Sequence, residues 1–232
     1  MKTLENIKIE VATEEHIKYV DDINNAIDIA SKQRGTGIAR RTFEYLSGKM
    51  TEGKAIIALD GEKLAGFCYI ETWQNKNFVA NSGLIVVDEY RGLGLAKAIK
   101  YKAFDLSRKK FPEAKIFGLT TGLAVMKINH ELGYRPVTFS ELTMDDQFWN
   151  GCKSCVNYDI LTRTNRKMCL CTGMIYIPPK EQTNSLPNKI AEQKKKSRWD
   201  YFQQFFKVGR IRLKRWFSND LVKVDDPTHP RL

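Results

Sequence analysis

The sequence predicts a mixed α/β fold of the α+β class, and three observations carry the prediction. A continuous apolar run, Leu84-Ile85-Val86-Val87, leads within a few residues into the glycine turn Arg91-Gly92-Leu93-Gly94 and a helical pattern from Leu95 to Leu106. Two strand-like runs, Lys54–Leu59 and Leu64–Glu71, flank Asp60-Gly61, the pairing of a tight hairpin. Strand and helix patterns follow one another as β-α-α-β-β-β-α-β-α-β over about residues 4–145.

In chain order, Ile7, Ile9 and Val11 alternate with Lys8 and Glu10, as a half-buried or edge strand does. Thr13 followed by Glu14 and Glu15 predicts a helix start, with His16 to Lys32 helical and a break at Arg34-Gly35-Thr36-Gly37. A second helix is expected over Ile38 to Met50. After the hairpin, Asn75-Lys76-Asn77 marks a turn, and Phe78 opens the central strand. Leu95, Ala98, Ile99, Ala103 and Leu106 then share one helical stripe, which Phe111-Pro112 ends. Ile116 to Thr121 reads as a strand, and Ala124 to Glu131 as a short helix closed by Gly133 in a left-handed cap. A strand over Val137 to Leu142 completes the set.

The length of 232 residues allows one large domain, or one with an appendage. Three parts are expected: a domain over 1–148, a four-cysteine element over 149–179 packed on or extending it, and a linker with a basic tail over 180–232. A hydrophobic share of 42% supports a real core, and apolar runs of only a few residues predict no membrane span. The first sixteen residues lack the apolar core of a secretory signal, so the five cysteines are expected in a reducing, cytoplasmic setting. The net charge of +11 is uneven. Lys180 to Leu232 holds 13 Lys/Arg against 6 Asp/Glu, and the rest 25 against 21, so the basicity belongs mostly to the tail.

Gly92 and Gly94 let the backbone turn with its N–H groups outward, and the helix start adds unpaired donors and the positive dipole end. Together these make a seat for a phosphate or pyrophosphate. A dinucleotide fingerprint fails because Lys97 stands where its third glycine belongs, and a P-loop fails for want of a Gly-Lys-Ser/Thr ending. Taken alone, the six residues read equally well as an ordinary strand-to-helix turn. Arg91-Gly92-Leu93-Gly94-Leu95-Ala96 does fit Arg/Gln-x-x-Gly-x-Gly/Ala, and it resembles the acyl-CoA pyrophosphate loop of the GNAT superfamily of N-acetyltransferases. Met126 to Tyr134 is similar to the late helix and Leu-Gly-Phe/Tyr ending of the same superfamily, in the right order.

The resemblance implies a central, mostly antiparallel sheet flanked by helices. It also implies acetyl-CoA as cosubstrate and direct transfer of its acetyl group to a primary amine. The pyrophosphate would rest on the N–H groups of Gly92, Leu93, Gly94, Leu95 and Ala96, with Arg91 adding charge. A backbone N–H near Ile85, Val86 or Val87 would meet the thioester carbonyl. Many members carry Tyr four residues before the glycine of the late motif, as acid to the leaving thiolate. Asn129 stands there in this chain, as Asn does in members where it contacts CoA instead, so the acid is unassigned and Tyr134 would be a guess.

The amine must lose a proton to attack, and Glu71 is the best candidate to accept it. Set against that role, a solvated strand end is the favoured reading of Glu71. Asp88 and Glu89 read as turn-shaping residues, and His130 equally as an exposed helix residue.

Cys152-x-x-Cys155 and Cys169-x-Cys171 present four thiols within twenty residues, and structural zinc on these four is the expected occupant. A redox Cys-x-x-Cys, free thiols and iron–sulfur ligation are the competing readings, and the Cys-x-Cys spacing departs from common zinc ribbons. Val156, Tyr158, Ile160 and Leu161 are expected to give a small strand between the pairs. Cys68 reads as core.

In the tail, Trp199, Phe202, Phe206, Leu213 and Trp216 fall on one helical stripe opposite Lys207, Arg210 and Lys214. Docking on its own domain, on a protein partner or in a homodimer leads. A membrane-surface helix comes next, and nucleic acid last. The function expected is acetyl transfer to an unidentified amine. The rival is a non-catalytic binding module that acts through this tail.

Overall fold

The computed structural model describes residues 3–34 and 40–179. The expected linker and basic helical tail lie outside the described residues, as does most of the break after Arg34. β1 (Ile7–Val11) is followed by a 3-10 turn over Glu14–Tyr19 and then by α1 (Val20–Arg34). His16, expected inside the helix, closes its start instead: its Nδ1 accepts the Thr13 N–H at 3.0 Å. α2 (Phe43–Thr51) starts where Thr42 Oγ1 accepts the Tyr45 N–H at 3.2 Å.

β2 (Ala55–Asp60) and β3 (Lys63–Trp73) form the predicted hairpin, turning at Gly61 with φ +60°. β4 (Phe78–Val86), α3 (Leu95–Lys110), β5 (Lys115–Thr120) and α4 (Leu123–Glu131) follow, with Gly133 at φ +86° as the left-handed cap.

The strand expected over Val137 to Leu142 is not formed beyond Val137. β6 spans only Arg135–Val137 before a 3-10 turn over Phe139–Glu141. Phe139 and Leu142, which extended the apolar pattern, are buried against Trp149 instead. After α5 (Asp146–Asn150), the small strand expected around Val156 to Leu161 is helix α6 (Tyr158–Arg163). β7 (Thr172–Tyr176), which sequence reasoning missed, lies in the cysteine-bearing stretch and pairs with both β5 and β6.

The sheet runs β1-β2-β3-β4-β5-β7-β6, antiparallel at every join except β4–β5. Helices cover both faces, which explains continuous apolar runs where alternation would mark a half-exposed strand. Neighbours in β2 divide between the two sides. Ile56 joins Ile70, Val79, Ile99 and Ile116 under α3. Ile57 joins Ile23, Leu46, Met50 and Ile85 under α1 and α2. Burying one such side chain contributes about 1.5–3 kcal/mol. A third cluster, with Ala80, Phe117, Trp149, Leu161 and Ile175, extends the covered sheet towards β7.

Candidate active site

The sheet opens along β4. β4 pairs with β5 only from Phe78 to Ala80, although β5 runs on to Thr120 and keeps β7 on its other side. From Asn81 onward β4 is bonded to β3 alone. Its other edge therefore offers backbone groups to whatever enters the cleft, Val86 among them; the Val87 N–H, expected to serve there, is donated to the Ala65 carbonyl at 3.0 Å instead. The β3–β4 register shifts between Phe67 and Tyr69, and Gly83 sits at that bulge with φ +65°.

The cleft ends at the glycine turn. Gly92 and Gly94 both hold φ +82°, and a Cβ on either would meet nothing within 4 Å. The turn thus needs glycine for its backbone angles and leaves open space beside it. Lys97 N–H and Ala98 N–H turn back on the Gly94 carbonyl, while the N–H groups from Gly92 to Ala96 donate to no backbone carbonyl among the described residues. These donors adjoin the start of a sixteen-residue helix, where the positive dipole end favours an anion. Arg91 is braced rather than loose: it pairs with Asp88 at 2.7 Å and donates to Gln33 Oε1 at 3.3 Å. Asp88 also accepts from Gln33 Nε2 at 2.9 Å, tying the turn to α1.

Asn129 is 1% exposed. Its Nδ2 lies 3.6 Å from Met174 Sδ, and its Oδ1 is buried without a hydrogen-bond partner. A buried, unpaired amide oxygen costs roughly 1–3 kcal/mol, which a donor on a bound molecule would recover. Tyr134 is also buried, and its hydroxyl donates to Asn81 Oδ1 at 3.0 Å. His130 is exposed on the outer side of α4.

Lys100 was not singled out from the sequence. It is 3% exposed, donates to the same Asn81 Oδ1 at 3.2 Å and lies 5.3 Å from the centre of the Tyr134 ring. Asn81 Nδ2 donates in turn to Ser107 Oγ at 2.9 Å. Burial pushes the Lys100 ammonium down to about 8, with the Cys68 thiol acting the other way. The available signal was its spacing: Lys100 falls between Ala96 and Ala103 on the buried stripe of α3.

On the opposite face, Glu71 is not a solvated strand end. Its Oε1 accepts from Tyr45 Oη at 2.5 Å and pairs with Lys49 Nζ at 2.9 Å, with both side chains of the ion pair 14% exposed. The Tyr45 ring meets Tyr69 edge-on at 5.7 Å, and Tyr69 Oη accepts from Arg41 Nε at 3.1 Å. Burial, with Tyr69 and then Glu71 adding to it, holds the Tyr45 phenol far above its ordinary value, so it remains a donor. Tyr69 sits opposite Ser82, beside the bulge. A polar line therefore runs from the open part of β4 through Tyr69 and Tyr45 to Glu71.

The four cysteines lie close enough to act on one another electrostatically. The Cys171 thiol is pushed up to about 12, first by burial and then by Cys169, Cys155 and Cys152. Cys152 is pushed up to about 11, by burial and then by Cys155 and Cys169. Even so, among the described residues no group of three or more His, Cys, Asp or Glu side chains is arranged to hold a metal ion. The zinc expectation therefore lacks support. Cys152, Cys169 and Cys171 instead pack against the third apolar cluster, while Cys68 is buried as expected.

Residues 39–129 match the family model described as the acetyltransferase (GNAT) family, a stretch that takes in the glycine turn and reaches Asn129. Among solved structures, N-acetylglutamate synthase from Neisseria gonorrhoeae, complexed with coenzyme A and N-acetyl-glutamate, shares the fold with a TM-score of 0.55 and 17% identity. That match covers 75% of this chain and 35% of the synthase, so the chain spans about a third of that protein. Rv2747 from Mycobacterium tuberculosis, in complex with CoA and NLQ, matches with a TM-score of 0.53 and 14% identity, covering 74% of this chain and 99% of that one. At such identities the likeness is one of fold. No curated protein matches the chain. The fold is the one these structures share, and residues 39–129 are the segment that resembles the acetyltransferase (GNAT) family model.

Proposed function

We propose that this chain transfers the acetyl group of acetyl-CoA directly to a primary amine. The observation that carries the reading is the parting of β4 from β5 after Ala80, in a cleft that ends at the unpartnered N–H groups of the glycine turn. In this reading Gly92, Leu93, Gly94, Leu95 and Ala96 hold the pyrophosphate, with Arg91 adding charge. The open edge around Ile85 and Val86 holds the thioester arm, and Val86 offers its N–H to the carbonyl oxygen, where negative charge develops, while the Val87 N–H is held by the Ala65 carbonyl. The buried Oδ1 of Asn129 takes a donor from the cofactor.

The amine nitrogen bonds to the acetyl carbon and the C–S bond breaks. The proton lost by nitrogen passes to Glu71 as Tyr45 gives up its own and takes one in return, and the CoA thiolate is finally protonated to the thiol. Glu71 is thus the base, reached through a phenol that never carries charge.

The test is thiol release from acetyl-CoA with a panel of amines, using the full chain. Amine-dependent release, abolished by Gly94→Asp, is expected. Release from no amine despite tight acetyl-CoA binding would favour a binding module instead.

A further inference from the structure

A cavity of about 300 Å³ opens where β3 ends and β4 begins. Its place in the sheet separates it from the glycine turn. Glu71 on its wall lies opposite Ala80, six residues before Val86 and so about 20 Å along the strand from the turn. It is only three residues, about 10 Å, from the bulge at Gly83.

The wall is built rather than incidental. The Lys49–Glu71 ion pair, 2.9 Å long and mostly withdrawn from water, forms one side. Trp73 and Gln74 form another, and their Nε1 and Oε1 are both buried with no hydrogen-bond partner. One is an unmet donor and the other an unmet acceptor, each costing stability while it stays unpaired. Gln74, Asn75 and Lys76 also hold φ of 47°, 53° and 67°, three successive non-glycine residues in the left-handed region. This left-handed run is the turn that joins β3 to β4 and sets the rim of the cavity.

The charges decide the ligand. Lys49 and Lys76 supply two cations and Glu71 and Asp145 two anions, so the wall selects neither a simple anion nor a simple cation. A carboxylate is met by the lysines, and an ammonium by Asp145. A volume of about 300 Å³ is at the small end for ligand sites and suits a compact polar molecule.

We propose that this cavity binds the zwitterionic end of the acceptor, an amino acid or short peptide that carries a second amine to be acetylated in the cleft. The proposal rests on the acyltransferase reading and names its substrate class.

Calorimetric titration of the full chain, with and without CoA, against common free amino acids and a dipeptide tests the pocket independently of turnover. Binding by at least one of them is expected, weakened at least tenfold by Lys49→Met, with acetyl-CoA affinity unchanged. Lys76→Glu, at an exposed position, serves if Lys49→Met does not fold, and the same loss is expected. Binding of no zwitterion, or binding untouched by either variant, overturns the proposal. So does acetylation of simple alkylamines with the same KM as amino acids. Zwitterion binding without acetyl-CoA turnover would uphold the pocket and fail the enzyme reading.

Discussion

The ring of Tyr69 fills the space that a side chain on Gly83 would need: a Cβ there would come within 2.5 Å of Tyr69 Cε1. Gly83 also holds φ +65°, so the bulge within the open stretch of β4 is doubly specified. Gly83→Ala is expected to destabilise the fold by about 2–4 kcal/mol, combining left-handed strain with overpacking. Gly61→Ala is the control. It has φ +60° but open space, and should cost about 1 kcal/mol. Denaturant midpoints of the two variants check the difference.

Tyr45→Phe removes the donor between the cleft and Glu71 while leaving the Lys49 pair in place. We expect amine acetylation to fall about a hundredfold, with acetyl-CoA affinity unchanged. Glu71→Gln should fall at least as far. Full activity in Glu71→Gln would reduce Glu71 to a structural partner of Lys49.

Lys100 gives the stability a recognisable pH dependence. Its folded-state value of about 8 lies below the ordinary 10.5, so the folded protein binds this proton less tightly than the unfolded chain does. Below pH 8 the whole penalty, about 3 kcal/mol, acts against folding, and it is lifted as pH rises from 8 to 10.5. Lys100→Met should be more stable than the parent at pH 7 and should lose that rise. Chemical unfolding at several pH values reads both effects.

Much of the fold was legible because its signals are local. The apolar run, the glycine turn and the α3 stripe are contiguous, and Asp60-Gly61 marks a hairpin within four residues. The site's polar groups were less legible because their partners are distant in sequence. Lys100 meets Asn81 nineteen residues away, Tyr134 meets it across fifty-three, and Tyr45 reaches Glu71 across twenty-six. Spacing reveals none of these meetings, so Glu71 read as a solvated strand end until β3 was set beside α2. β7 was missed for a related reason. Its five residues include a glycine and follow a cysteine pair that drew the reading towards metal.

Gly94→Asp places a carboxylate where the pyrophosphate would rest, on a residue whose φ of +82° already disfavours a side chain. Acetyl-CoA affinity should fall about a hundredfold or more, with only a modest loss of stability, near 1 kcal/mol. Retained affinity would move the cofactor away from this turn.

The most direct test of the account is calorimetric titration of the full chain with acetyl-CoA. The open edge of β4 and the glycine turn predict one molecule bound per chain with Kd in the micromolar range, on the order of −8 kcal/mol. The absence of any binding would contradict the central claim, leaving a GNAT fold whose cleft holds no acyl-CoA.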